Sequence, residues 1–362
     1  MKKFSIFFMV ITVIAIASSC KKSSSGNHSP QDTTVNHTDT AIIGLYALGQ
    51  GTYGANNTTL TYYNFATNTA STDTFENING FKLGDTGSDF IIYGGRIYIV
   101  MNNSGYVSVA NALNARYIDS VSFQNGSGNK GPENIVAYGG KVFVSTTDDS
   151  VSVIDTATLA ITKNIAVGAN PAQMAIVGTN LYVSNTGGFS TYDSTVSVID
   201  LNTLTETRKI KVGLNPGYIA ADASGNIYVA CTGDYGSVAP QLVKVSTTSN
   251  TVTTSSSIGA AVVRYYNNKL YVTGDYLGLF STEVLSTTDL SVLSTSFVSD
   301  GTTVEAAYGL DIDDSTGNVY ISDAKDYTSP GEVFCFDNTG KKKFSFSVAP
   351  TPSPIKVAFL RK

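Results

Sequence analysis

Seven copies of one short phrase run through the chain: GLYAL, RIYIV, KVFVS, NLYVS, NIYVA, KLYVT and NVYIS. Their aromatic residues, Tyr46, Tyr98, Phe143, Tyr182, Tyr228, Tyr271 and Tyr320, stand 52, 45, 39, 46, 43 and 49 residues apart. A period of about 40–50 residues built from short strands marks a β-propeller with one repeat per blade. The expected fold is all-β: a seven-bladed β-propeller of four-stranded blades, each packed on its neighbours. This overrides the two or three domains that 362 residues would otherwise suggest.

Repeats three (131–168) and four (170–213) show the unit most clearly. Strand A is the IVAY or MAIV run. A GGK or GTN turn leads to strand B, the aromatic phrase. Strand C is SVSVID, and strand D is NIAVG or KIKVG. Asp155 and Asp200 open the turns after strand C, where a carboxylate can accept hydrogen bonds from backbone N–H groups two residues on. Repeat one has no strand A before Leu45, whereas an extra apolar run, Pro354–Leu360, follows repeat seven. That run is expected to pair beside Gly44–Leu48, so that the ring closes with no exposed sheet edge at the seam.

The N-terminus reads as an address. Lys2 and Lys3 precede an apolar run from Phe4 to Ala17, too short to span a membrane comfortably, and then Ala17-Ser18-Ser19-Cys20. Small residues before a cysteine resemble a bacterial lipobox, which implies cleavage before Cys20 and its lipidation. The expected organisation is a signal peptide (1–19), a flexible polar tether (20–40) and the propeller (41–362). Without residues 1–19 the chain carries 21 basic and 28 acidic residues, a net charge of −7. That balance argues against nucleic acid as a partner. Cys231 and Cys335 fall in non-adjacent blades and are expected to stay unpaired and buried.

The two histidines, His28 and His37, both precede the ring. A Ser-His-Asp triad, histidine-ligated zinc or copper and c-type haem are thereby excluded from it. Tryptophan is absent, so WD-type and quinoprotein signatures are missing. Two stretches fit G-x-G-x-x-G, Gly49–Gly54 and Gly126–Gly131. Neither is followed by a helical pattern, so both read as loops rather than dinucleotide sites. No resident cofactor is expected. A hydrolase of the kind that holds a divalent metal on acids at the channel would draw on Asp89, Glu133 and Glu305. Solvated or turn-capping roles compete for those three residues.

Loops B–C and D–A of a propeller emerge on one face. Six of the seven B–C loops here carry an aromatic, and the candidate ligand-binding residues are Tyr53, Tyr106, Tyr192, Tyr235, Tyr276 and Tyr327. Asp-Tyr recurs at Asp234-Tyr235, Asp275-Tyr276 and Asp326-Tyr327. Tyrosine offers a flat apolar face with a polar tip, suited to sugars, planar rings and protein surfaces. The D–A loops on the same face are expected to add Asn170, Gln173, Asn215, Tyr218 and Arg264 as hydrogen-bonding groups. The competing role for the tyrosines is to pack between loops and stabilise the ring.

The n-P-x-x-i-a-v, l-Y-V-s-n, V-s-v-i-D and i-x-V-G phrases resemble the YVTN family of β-propellers, most specifically in repeats three to five. The first repeat's Y-x-L-x-Q-G-x-x-G-x-N and the whole last repeat are similar to a group of lipid-anchored propellers of Gram-negative bacteria. Some members of that group bind corrinoids at the cell surface beside a TonB-dependent transporter. The resemblance implies a non-catalytic, monomeric, lipid-anchored outer-membrane protein. Its Tyr-rich face would bind a corrinoid or glycan for delivery to such a transporter. Lys-Lys-Ser-Ser-Ser follows Cys20 where some members carry an acidic surface-export signal, leaving the membrane face open. A cell-envelope interaction scaffold and a metal-dependent hydrolase or lactonase are the alternative readings.

Overall fold

The computed structural model describes residues 41–362, apart from residues 127, 189–190 and 275–278 and the side chains of 279 and 280. Cys20 and Tyr276 lie outside the described residues. Seven antiparallel four-stranded sheets follow one another in chain order, with a small hairpin, Gln124–Asn125 with Gly128–Asn129, between the second and third. In blades two to seven the strand that comes first in the chain is the innermost. Blade two, for example, runs outward from Gly87–Tyr93 through Arg96–Met101 and Tyr106–Asn111 to Tyr117–Ser122.

The repeated aromatic holds the ring together. Tyr46, Tyr98, Phe143, Tyr182, Tyr228, Tyr271 and Tyr320 are all buried in strand B. Strand B is covered on both faces by the neighbouring blades, so its apolar run is nearly continuous, whereas outer strands such as Tyr117–Ser122 stay mostly exposed. The buried side chains form seven clusters, one at each interface between blades. Buried hydroxyls find partners, as when Tyr46 donates to the carbonyl of Ala112 at 2.9 Å and Tyr228 to Asp222 at 2.8 Å.

The ring closes through its own ends. Pro354–Arg361 is the inner strand of blade one and lies antiparallel to Ile42–Gly49, with Leu45 opposite Phe359 and Ala47 opposite Val357. The seam is packed like any other interface: Tyr63 stacks on Phe344 at 4.7 Å and on Phe346 at 4.9 Å.

Two details go beyond the sequence pattern. A six-residue helix, Thr74–Asn79, fills the connection from blade one to blade two and ends at Gly80, whose N–H caps the Glu76 carbonyl. Four inner strands begin with proline, at 132, 171, 216 and 354, each directly after a residue with positive φ: Gly131, Asn170, Asn215 and Ser353. Proline suits a first strand position, where its missing N–H leaves no ladder bond broken. Both cysteines in the ring are free and buried, and burial pushes their thiols up to about 12 for Cys231 and about 11 for Cys335.

Candidate functional site at the channel mouth

Each inner strand starts on the face where the D–A and B–C loops emerge, so all seven bring side chains to one end of the central channel. They enclose a cavity of about 380 Å³. Its wall is mostly polar or aromatic: Ser88 and Asp89 from blade two, Glu133 and Asn134 from three, Gln173 from four, Tyr218 from five, Arg264 from six, Tyr308 from seven and Lys356 from one. A second, narrower cavity of about 150 Å³ shares Gln173, Tyr218, Arg264 and Lys356 with the first and reaches Asp311 and Phe359.

Two ion pairs cross between blades here. Lys356 Nζ lies 2.6 Å from Asp89 Oδ1, and Asp89 Oδ2 accepts the Ile135 N–H at 3.0 Å. Arg264 donates to Asp311 Oδ1 from Nη2 at 2.8 Å and from Nε at 3.2 Å, while Asp311 Oδ2 accepts the Val357 N–H at 2.7 Å. Each aspartate thus joins a cation and a backbone amide from different blades. Burial pushes the Asp311 carboxyl up and the charges of Arg264 and Lys356 pull it back. All its partners are donors, so it serves as an acceptor at both oxygens. The Arg264 guanidinium sits over the Tyr218 ring, 4.9 Å from its centroid.

Glu133 differs from these acids. No cation pairs with it among the described residues. Burial pushes its carboxyl up to about 7 against the effect of a hydrogen bond from the Asn102 amide at 2.7 Å. Asp89 is engaged by Lys356, and Glu305 is exposed. The three acids considered for a metal site therefore occupy three unlike environments. Among the described residues, no cluster of three or more His, Cys, Asp or Glu side chains could hold a metal ion.

The tyrosines fall into distinct settings. Tyr53 and Tyr235 project furthest, with 76% and 64% of their surface exposed, and Tyr327 is also exposed. Tyr192 is half-buried and meets Tyr235 edge-on at 6.5 Å. Tyr106 is half-buried, and its hydroxyl donates inward to the Leu83 carbonyl. Tyr327 packs edge-on against Tyr308 at 5.6 Å, and Tyr308 donates to Gln50 at 3.1 Å, which links the rim to the cavity.

The Asp-Tyr motif acts as a turn. Asp234 Oδ1 accepts the N–H groups of Gly236 and Val238, and Asp326 Oδ1 those of Thr328 and Ser329. These bonds hold both carboxyls below the usual carboxylate range. The tyrosine that follows takes φ of 57° at Tyr235 and 62° at Tyr327. A bulky residue with positive φ is strained, and such strain collects at functional sites.

Asn170 and Asn215 have a different setting from a solvent-facing amide. Both adopt the positive φ that precedes a strand-opening proline. The Asn170 amide donates to Thr186 at 2.6 Å, and the Asn215 carbonyl accepts the Thr232 N–H at 2.9 Å. They tie D–A turns to B–C loops. Lys356, Asp311, Tyr308 and Gln50 carry much of the site yet were absent from the sequence-derived candidates. Lys356 was marked only by its place in the orphan strand and Gln50 only by its place in the first repeat's Q-G-x-x-G phrase; nothing local marked Asp311 or Tyr308.

A family model described as a Domain of unknown function (DUF5074) matches residues 43–348. No curated protein matches the chain. Among solved structures, a quinonprotein alcohol dehydrogenase-like protein from Bacteroides thetaiotaomicron aligns with a TM-score of 0.62 at 14% identity, covering 92% of this chain and 79% of that one. Kuenenia stuttgartiensis hydrazine synthase aligns at 0.56 and 17%, covering 69% and 76%. The computationally designed Ika8 protein aligns at 0.57 and 10%, covering 86% and 90%. At these identities the likeness shows the fold alone.

Proposed function

We propose a non-catalytic ligand-holding role for this chain, which belongs to the DUF5074 family. The observation that carries the proposal is the convergence of seven inner strands on one polar and aromatic cavity of about 380 Å³, beneath a rim that bears Tyr53, Tyr235 and Tyr327. Small-molecule sites are concave, run from about 300 to 1,000 Å³, and carry a few convergent polar groups. A cavity at the lower end of that range suits a sugar-sized polyhydroxylated group, with Tyr218 and Tyr308 in its wall. A corrinoid would lie across the rim instead of entering. The exposure of Tyr53, Tyr235 and Tyr327 lets their rings meet a ligand.

In this reading Cys20 carries a lipid, the ring is tethered to the outer membrane, and the bound nutrient passes to a TonB-dependent transporter. Replacing Cys20 with alanine then moves the protein from the membrane fraction to the soluble one; unchanged membrane association refutes the anchor.

Calorimetric titration of the wild type with a small glycan panel and with cobalamin tests the binding role, repeated on Tyr235→Ala/Tyr327→Ala. Binding that weakens by about 1–3 kcal/mol in the double variant supports the reading. If no panel member binds the wild type, the interaction-scaffold reading replaces it.

A further inference from the structure

We propose that the channel mouth selects ligands bearing a carboxylate, such as an acidic sugar, and that Lys356 receives it. The inference rests on the ligand-holding role above and adds the charge of the ligand.

The two members of the Asp89–Lys356 pair are presented unequally. The Asp89 side chain is 2% exposed, whereas that of Lys356 is 21% exposed and borders both cavities. Asp89 is also saturated: Oδ1 takes the Lys356 ammonium and the Phe90 N–H at 2.8 Å, and Oδ2 takes the Ile135 N–H. An ammonium has three donors, and the Asp89 contact uses one. Two donors remain for a group that enters the cavity Lys356 borders.

The second pair is buried almost equally, at 10% exposure for Arg264 and 9% for Asp311, so Lys356 is the more accessible cation. Arg264 borders the 380 Å³ cavity, but its partner Asp311 does not and instead holds the Val357 N–H. Both cations therefore line the 380 Å³ cavity; Asp89 borders it too, but with almost none of its side chain exposed, and Asp311 borders only the narrower one. Charge-assisted hydrogen bonds to a carboxylate are roughly twice as strong as neutral ones. A neutral sugar would leave the Lys356 donors to water. An amino sugar would approach two cations, with Glu133 as the sole acid at the mouth that lacks a cation partner among the described residues.

Titration of the full chain with glucuronate, glucose and glucosamine tests this, on wild type, on Lys356→Met and on Asp89→Asn/Lys356→Met. The double variant avoids leaving a buried carboxylate unpaired. The expected result is roughly tenfold tighter binding of glucuronate than of glucose in the wild type, with the ratio between the two sugars falling to about one in both variants. Equal binding of all three sugars overturns the charge selection and leaves the ligand-holding role standing. Tightest binding of glucosamine also overturns it, and assigns the selection to Glu133. Failure of all three to bind removes both the inference and a sugar ligand.

Discussion

Lys356 and Asp89 meet at 2.6 Å although 267 residues separate them. The contact ties the closing strand to blade two, and the bond from the next residue's N–H, Val357, to Asp311 ties the same strand to blade seven. Its backbone pairs with Ile42–Gly49 within blade one. Three blades thus hold one terminal segment, and the groups that close the ring also line its cavity.

Removal of residues 352–362 should open that seam. It exposes the inner edge of blade one and the packing of Tyr63 on Phe344 and Phe346. We expect a loss of several kcal/mol out of the roughly 5–15 kcal/mol typical of a domain. Thermal melting of the truncated protein checks it; a wild-type melting temperature would refute the closure's contribution.

A single methyl group tests the same seam more gently. A Cβ on Gly309 would run into the carbonyl oxygen of Ile355, and backbone cannot move aside cheaply. Gly309→Ala should destabilise by about 1–3 kcal/mol, as overpacking does. Gly94→Ala serves as the comparison, because nothing lies within 4 Å of a Cβ there and only its positive φ opposes the change.

The Arg264–Asp311 pair should be costly to break from one side. Asp311→Ala leaves a buried guanidinium without its carboxylate, and the expected loss is about 3–5 kcal/mol by urea unfolding. Arg264→Met/Asp311→Leu should recover much of it, since an apolar pair removes both desolvated charges. A single variant as stable as wild type would show the pair to be solvated.

Glu133 gives the stability a definite pH dependence. Its carboxyl is raised from 4.5 in the unfolded chain to about 7 in the folded one, chiefly by burial. The folded state therefore holds the proton more tightly. The contribution is complete below the unfolded pKa and is lost as pH rises through about 7. Glu133→Gln stays neutral throughout. The variant should match wild type near the unfolded pKa and exceed it by about 1–3 kcal/mol above the folded one. Urea midpoints at about pH 5 and about pH 8 read this; an unchanged difference between the two would exclude it.

The tyrosines should separate by role. Tyr235→Ala removes an exposed ring and should change stability by less than about 0.5 kcal/mol. Tyr106→Phe removes the hydroxyl that meets the Leu83 carbonyl and should cost about 0.5–1.5 kcal/mol. Equal melting temperatures for the two variants would contradict this division.

Much of the architecture was legible because its signals are local. The spacing of Tyr46 to Tyr320, the alternation of apolar runs with Gly, Asn and Asp turns, and the orphan Pro354–Leu360 all follow from side-chain periodicity and turn chemistry. The helix Thr74–Asn79 escaped because six residues containing Thr and two Asn make no helical period. Tyr106 and Tyr235 looked alike in sequence; a hydrogen bond to Leu83 and a positive φ separate them. The sequence alone determined that seven blades would form and close. The tertiary structure decided which side chains meet at the axis. Asp89, Glu133, Arg264, Asp311 and Lys356 come from five blades, and their proximity exists only once the ring has closed. Their pairing is a long-range electrostatic outcome that no local pattern encodes, because burial and the neighbouring backbone N–H groups select which charge faces the cavity.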